Sequence, residues 1–196
     1  MNDLRVQRFS GKEILPYLPD LAKLRITIFH DYPYLYEGNL EYEKKYLQTY
    51  AQCPDSVLVI AFDGDNVVGA SSALPLKYET DDIKKPFIDA SMDVNHIFYF
   101  GESVLMHAYR GKQIGKQFFI ERENAAREQG YSIAAFCGVD RPADHPKRPP
   151  DWHPLNQFWQ KLGYQQHPNL TVWMNWKEID EPNESRKALT FWLKKL

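Results

Sequence analysis

The segment Tyr109-Arg110-Gly111-Lys112-Gln113-Ile114-Gly115-Lys116 carries the clearest chemistry in the chain. It stands between a stretch that reads as a strand and one that reads as a helix. A glycine-containing turn at a helix start leaves several backbone N–H groups unpaired and pointing outward, and the helix dipole adds roughly half a positive charge there. Arg110, Lys112 and Lys116 add local positive charge, so the turn suits a phosphate or pyrophosphate. It is not a phosphate loop, which needs GK followed by Ser or Thr, nor a dinucleotide G-x-G-x-x-G turn. A second notable run is Phe29 to Gly38, where Tyr32, Tyr34 and Tyr36 alternate beside Asp31 and Glu37. Those residue types suit a lining for a cation, or a cap of large rings over the core beneath a long loop. The six histidines show neither an i, i+4 pair nor a cysteine partner at ligand spacing, so no metal site is expected.

The elements that must position these groups alternate between strand and helix. Leu4 to Phe9 reads as a strand, and Ile14, Leu18, Leu21, Leu24 and Ile28 follow one helix face that ends near His30. A second helix is expected over Glu41 to Ala51. Ser56 to Phe62 and Val67 to Leu74 flank the turn Asp63-Gly64-Asp65-Asn66 as a hairpin. Residues 79 to 95 read as an irregular or short helical excursion, and His96 to Met106 as a strand. The helix opened by Gly111 carries Ile114, Phe118, Phe119, Ala125 and Ala126 near one face and stops at Gly130. Tyr131 to Val139 is a continuous apolar run, the pattern of a strand covered on both faces. Prolines exclude regular structure from Asp140 to Pro154. Leu155 to Leu162 reads as a short helix closed by Gly163, and Leu170 to Ile179 is expected to pair with Ala188 to Leu196.

With 196 residues, 43% apolar and 26% charged, the chain suits one domain over residues 1–196 with a sizeable core. The formal charge of -2 gives no global attraction to nucleic acid or anionic membrane, so any anion must be held locally. The longest apolar runs fall far short of the ~20 residues that cross a bilayer. Cys53 and Cys137 form neither a disulfide framework nor a paired-thiol motif and read as free thiols, which fits a reducing cytoplasm.

The Tyr109 to Lys116 turn resembles the acyl-CoA-binding loop of the GNAT superfamily of N-acetyltransferases: Gln or Arg, two residues, Gly, one residue, then Gly or Ala. Arg110 and Gly115 match the ends, and Gln113 replaces the middle glycine. FYFGESVLM before the turn, FWQKLGY after it and the terminal LTFWLKKL resemble further family segments in the same order. The resemblance implies an α/β (α+β) fold with a mixed, mostly antiparallel sheet of about seven strands flanked by about four helices. It implies acetyl-CoA as acyl donor, an amine as acceptor and direct attack in a ternary complex, with a non-catalytic CoA-binding module as the alternative. Backbone of Val104, Leu105 and Met106 would hold the pantetheine arm, and residues Arg110, Gly111, Lys112, Gln113, Ile114, Gly115 and Lys116 the pyrophosphate.

Glu102 falls where many family members place a strand carboxylate and is the expected general base, directly or through water. Where the family has a thiolate-protonating Tyr, this chain has Trp159, and the family's Asn falls on Trp152. An indole N–H cannot serve as the acid, so Tyr164, His153 or Tyr131 does, or the thiolate leaves unassisted. The acceptor side is expected at Asp31, Tyr32, Tyr34 and Tyr36, which favours a cationic amine. Oligomeric state is left open, a homodimer included.

Overall fold

A computed structural model describes residues 3–196. Seven strands form one sheet: β1 (Leu4–Ser10), β2 (Val57–Asp63), β3 (Asn66–Pro75), β4 (Ile97–Leu105), β5 (Ile133–Val139), β6 (Gln165–Trp176) and β7 (Ser185–Lys195). Their order across the sheet is β1-β2-β3-β4-β5-β7-β6. Every neighbouring pair is antiparallel except β4 with β5.

Five α-helices flank the sheet, one more than the expected four: α1 (Leu18–Phe29), α2 (Leu40–Gln52), α3 (Asp81–Asp89), α4 (Ile114–Glu128) and α5 (Asn156–Lys161). The additional helix is α3, in the stretch read from sequence as an irregular or short helical excursion. Its Ile83 and Phe87, one turn apart, are buried, and Phe87 packs edge-on against Phe191 of β7. The first helix also begins later than its apolar spacing suggests. Gly11–Tyr17 is a 3-10 helix carrying Pro16, and the α-helix starts beyond it. β6 begins at Gln165, five residues before the expected Leu170.

β2 shows how sequence period sets the layers. Val57, Val59 and Ala61 join the core beneath α4, while Leu58, Ile60 and Phe62 join the core beneath α1 and α2. Alternate side chains point to opposite faces, so a continuous apolar run fills both cores. β4 changes parity partway along. Ala73 pairs with Phe100 and Ser71 with Ser103, so Gly101 and Glu102 together face Ser72 in a β-bulge. Phe98 and Phe100 lie on the α4 face before the bulge, and Val104 joins the α1/α2 core after it. The bulge therefore turns Glu102 toward α1 and α2. Tyr50 of α2 approaches so closely that a Cβ on Gly101 would lie 1.9 Å from its hydroxyl, which only glycine accommodates.

Candidate active site

β4 and β5 pair only through Ile97↔Ile133, Phe98↔Ala134 and Tyr99↔Ala135. Beyond Tyr99 the strands separate, leaving the flank of β4 that faces β5 without a ladder partner from Phe100 to Leu105. Backbone donors and acceptors along such a flank can pair with an extended ligand arm, as an added strand would. Val104 is buried, Leu105 partly buried and Met106 exposed at the outer end of this flank.

The turn following β4 leads to the start of α4. No side chain caps that start, and no acidic residue lies in its first turn. The first N–H groups of the helix thus stay available, and the positive end of the dipole is not offset. Arg110, Lys112 and Lys116 are exposed, and none forms an ion pair among the described residues. Arg110 reaches back to the Leu105 carbonyl at 3.4 Å. Gly111 has a φ of 77° and Gln113 a φ of 67°, both left-handed. Gln113, in the place of the expected middle glycine, thus keeps a glycine-like conformation at a cost of roughly 1–2 kcal/mol. Gly115 is open to the surface apart from the Phe158 ring, 3.8 Å from where its Cβ would be. These features fit an anionic group of the pyrophosphate type.

Glu102 is 4% exposed and belongs to an ion-pair triad that spans three elements. Arg25 of α1 donates through Nε to Glu43 of α2 and through Nη1 to Glu102 of β4. Burial by itself would lower the Arg25 pKa, but Glu102, Tyr46 and Glu43 hold it well above the ordinary value. Its guanidinium lies 4.4 Å from the Tyr46 ring centre and 5.1 Å from that of Phe29. Two carboxylates share one cation, and Oε1 of each carboxylate is buried without a hydrogen-bond partner. Removing Arg25 would leave both carboxylates uncompensated, a loss of about 3–5 kcal/mol.

Phenols surround the triad. Tyr46 and Tyr50 hydroxyls lie 3.4 Å apart, and Tyr50 reaches Glu79 Oε1 at 3.4 Å. The Tyr99 hydroxyl meets Cys137 Sγ at 3.3 Å across the β4/β5 separation. Burial pushes the Tyr46, Tyr50 and Tyr99 phenols well up, with nearby Glu79 adding to each. It pushes the Cys137 thiol up to about 12.

The residues expected on the acceptor side divide, with Tyr34 and Tyr36 near the triad and Tyr32 and Asp31 against other partners. Tyr34 turns its phenol toward Cys137, Arg25 and Glu102, and its pKa is raised chiefly by burial. Tyr36 packs beside Glu43. Tyr32 lies under the proline-rich loop, its ring centre 4.8 Å from that of Trp152. Asp31 is exposed and pairs with His107 at 2.7 Å.

The candidate acids also separate. Tyr164 is 1% exposed in the core and donates to Glu123 Oε1 at 3.0 Å, some two and a half turns along α4 from Ile114. Burial first, then Glu123, raises its pKa, so it is a packed core phenol. His153 is exposed before α5, and Tyr131 lies before the paired end of β5, opposite the separation. Trp159 packs against Phe136 and Trp192, with ring centres 5.0 and 5.1 Å away.

Arg25 and Glu43 were not singled out from sequence. Arg25 sits between the apolar positions Leu24 and Ile28, and Glu43 lies in EYEKKY, which reads as a solvated helix face. Only their burial, known once α1 and α2 pack, sets them apart.

The fold as a whole is similar to that of solved structures named as acetyltransferases. A ribosomal-protein-alanine N-acetyltransferase from Brucella melitensis matches with a TM-score of 0.62 at 15% identity, over 97% of this chain and 99% of the other. A Desulfovibrio desulfuricans protein named as an acetyltransferase of the GNAT family matches at 0.58 and 9% identity, over 98% of both chains. A Salmonella typhimurium protein named as an acetyltransferase, solved with its cofactor acetyl-CoA, matches at 0.58 and 11% identity, over 99% of this chain and 94% of the other. No family profile matches the sequence, and no curated protein does. The chain has the GNAT N-acetyltransferase fold. Among the described residues, no helix is long and apolar enough to cross a membrane.

Proposed function

We propose that this protein transfers an acetyl or other short acyl group from acyl-CoA to the amine of a small molecule or peptide, by direct attack in a ternary complex. The observation that carries this reading is the separation of β4 from β5 between an uncapped, cation-flanked helix start and a buried carboxylate. When bound, acyl-CoA supplies the thioester carbonyl and a thiolate leaving group.

The chain's own residues divide the work. N–H groups of residues 111–116, with Arg110, Lys112 and Lys116, hold the pyrophosphate. Backbone of Val104, Leu105 and Met106 pairs with the pantetheine arm, and an N–H in that flank stabilises the oxygen as charge develops. Glu102, one oxygen fixed by Arg25, takes the proton from the ammonium through its other oxygen, directly or through water. Release of free thiol from acetyl-CoA across small amines, amino acids, polyamines and peptide N-termini tests the proposal. Saturable, amine-dependent release supports it, and its absence with every acceptor overturns it.

A second reading, a CoA-binding module without turnover, is favoured by one observation. The position of the family's acid is filled by Trp159, packed on Phe136 and Trp192 rather than free to donate a proton. Acetyl-CoA raising the melting temperature without any thiol release would select that reading.

A further inference from the structure

The triad leaves an imbalance that the packing does not resolve. Glu43 and Glu102 are 0% and 4% exposed, yet they share a single guanidinium, and Oε1 of each has no hydrogen-bond partner. A buried carboxylate normally has its lone pairs satisfied, because an unmet polar atom away from water carries its full desolvation cost. The Tyr36 hydroxyl is likewise buried, and its nearest polar neighbour is the Glu43 carboxylate, to which it is a donor, with Arg25 close by. Two carboxylate oxygens with unmet lone pairs therefore lie around one net negative charge, with the Tyr36 hydroxyl beside one of them.

Tyr36 also connects this cluster to the surface. It lines a recess of about 240 Å³ formed with Tyr42, Asn175, Trp176, Glu184 and the Glu37–Lys177 ion pair. That recess joins the loop between α1 and α2 to the hairpin of β6 and β7. Tyr36 is thus the residue common to the recess and to the Glu43 cluster.

Resting on the acyl-transfer reading above, we infer that Glu43, with Tyr36, is the acceptor-recognition element, and that the acceptor is a primary ammonium on an apolar body without a neighbouring carboxylate. An ammonium brings N–H donors and one positive charge, matching the unmet carboxylate oxygens and the net charge. Glu43 pairs with the arriving cation while Glu102 is left for proton removal. A carboxylate beside the amine would add a second anion next to Glu43 and Glu102, where like charges repel. Aromatic walls suit an alkyl or arylalkyl body, and they attract the cation as it passes.

Three compounds of one skeleton separate charge from shape: phenethylamine, phenylalanine, which adds a carboxylate, and phenethyl alcohol, which lacks the charge. Calorimetry on the CoA-loaded full chain is expected to show phenethylamine binding, with the other two at least about tenfold weaker. Glu43→Gln should weaken phenethylamine about tenfold and leave acetyl-CoA affinity unchanged. Because Glu43→Gln also disturbs a buried ion pair, Tyr36→Phe, which removes one hydroxyl, serves as the second variant, with a several-fold loss expected. Equal binding of the three compounds, failure of phenethylamine to bind, or both variants binding it as the parent does would overturn the inference. Thiol release distinguishes the two levels: Glu43-dependent amine binding without any release removes the acyl-transfer reading and keeps the amine site. Release that is indifferent to Glu43 and Tyr36 keeps acyl transfer and removes the amine site.

Discussion

Trp159 of α5 lies against Gly138 of β5 so closely that a Cβ on the glycine would come 3.0 Å from the indole ring. The contact is lateral packing on the diverging part of β5, and it fixes the ring among Phe136 and Trp192. An indole held this way contributes apolar cover and no labile proton. Trp159→Phe should therefore retain turnover to within about threefold, well short of the 100-fold or larger loss that follows removal of a general acid. Steady-state kinetics with acetyl-CoA and a responsive amine checks this, and a hundredfold fall in kcat would assign the indole a chemical part.

The turn before α4 gives a paired prediction. Gly115→Asp sets a negative side chain at the open helix start and should weaken CoA binding by tenfold or more, about 1.4 kcal/mol. Gln113→Gly acts in the opposite sense. It relieves a left-handed residue and should stabilise the fold by about 1 kcal/mol while leaving CoA affinity equal or tighter. Calorimetry and urea unfolding read the two effects separately. A loss of stability in Gln113→Gly would mean that the glutamine side chain holds the turn.

Glu102→Gln keeps the shape of the side chain and removes its capacity to take a proton. Turnover should fall by roughly a hundredfold or more, with acetyl-CoA affinity nearly unchanged. The variant still accepts from Arg25 through its amide oxygen, so a large part of the packing survives. Normal turnover across pH would place the base elsewhere.

How much of this was legible in the sequence follows from which interactions are local. The strand-turn-helix at Arg110 to Lys116 was visible because glycine, charge and periodicity act within a few residues. Glu102 was visible only by its position in a resembling pattern. Its partners Arg25 and Glu43 lie 77 and 59 positions away, and nothing in the composition of either helix marks them as buried. The same limit applies to the loop after α1. The alternate tyrosines Tyr32, Tyr34 and Tyr36 read as one lining, but Leu35 adopts a φ of 53°, and Tyr34 and Tyr36 lie near the triad while Tyr32 lies beside Trp152. Tyr164 stands as a candidate acid in the sequence only because Trp159 fills the family's tyrosine position. Its burial comes from packing against Phe119 and Phe136, which belong to α4 and β5.

Glu79 provides a test of the polar network by pH. It is 3% exposed, accepts from the Thr80 N–H at 3.0 Å, and receives the Tyr50 hydroxyl at 3.4 Å. Burial chiefly, with Glu102 adding, pushes its carboxyl up from 4.5 to about 6, against the opposing pull of the Thr80 N–H. The folded state then binds more protons than the unfolded state between those values, so stability falls as pH rises through that window. The cost is absent below about pH 4.5 and complete above about pH 6, where it amounts to about 2 kcal/mol at 1.36 kcal/mol per unit. Glu79→Gln removes the titration and keeps an oxygen for the Thr80 N–H. Relative to the parent chain, the variant should gain about 2 kcal/mol of stability on going from pH 4 to pH 8, measured by urea unfolding at each pH. A stability difference that stays constant across that range would show that Glu79 does not change its proton affinity on folding.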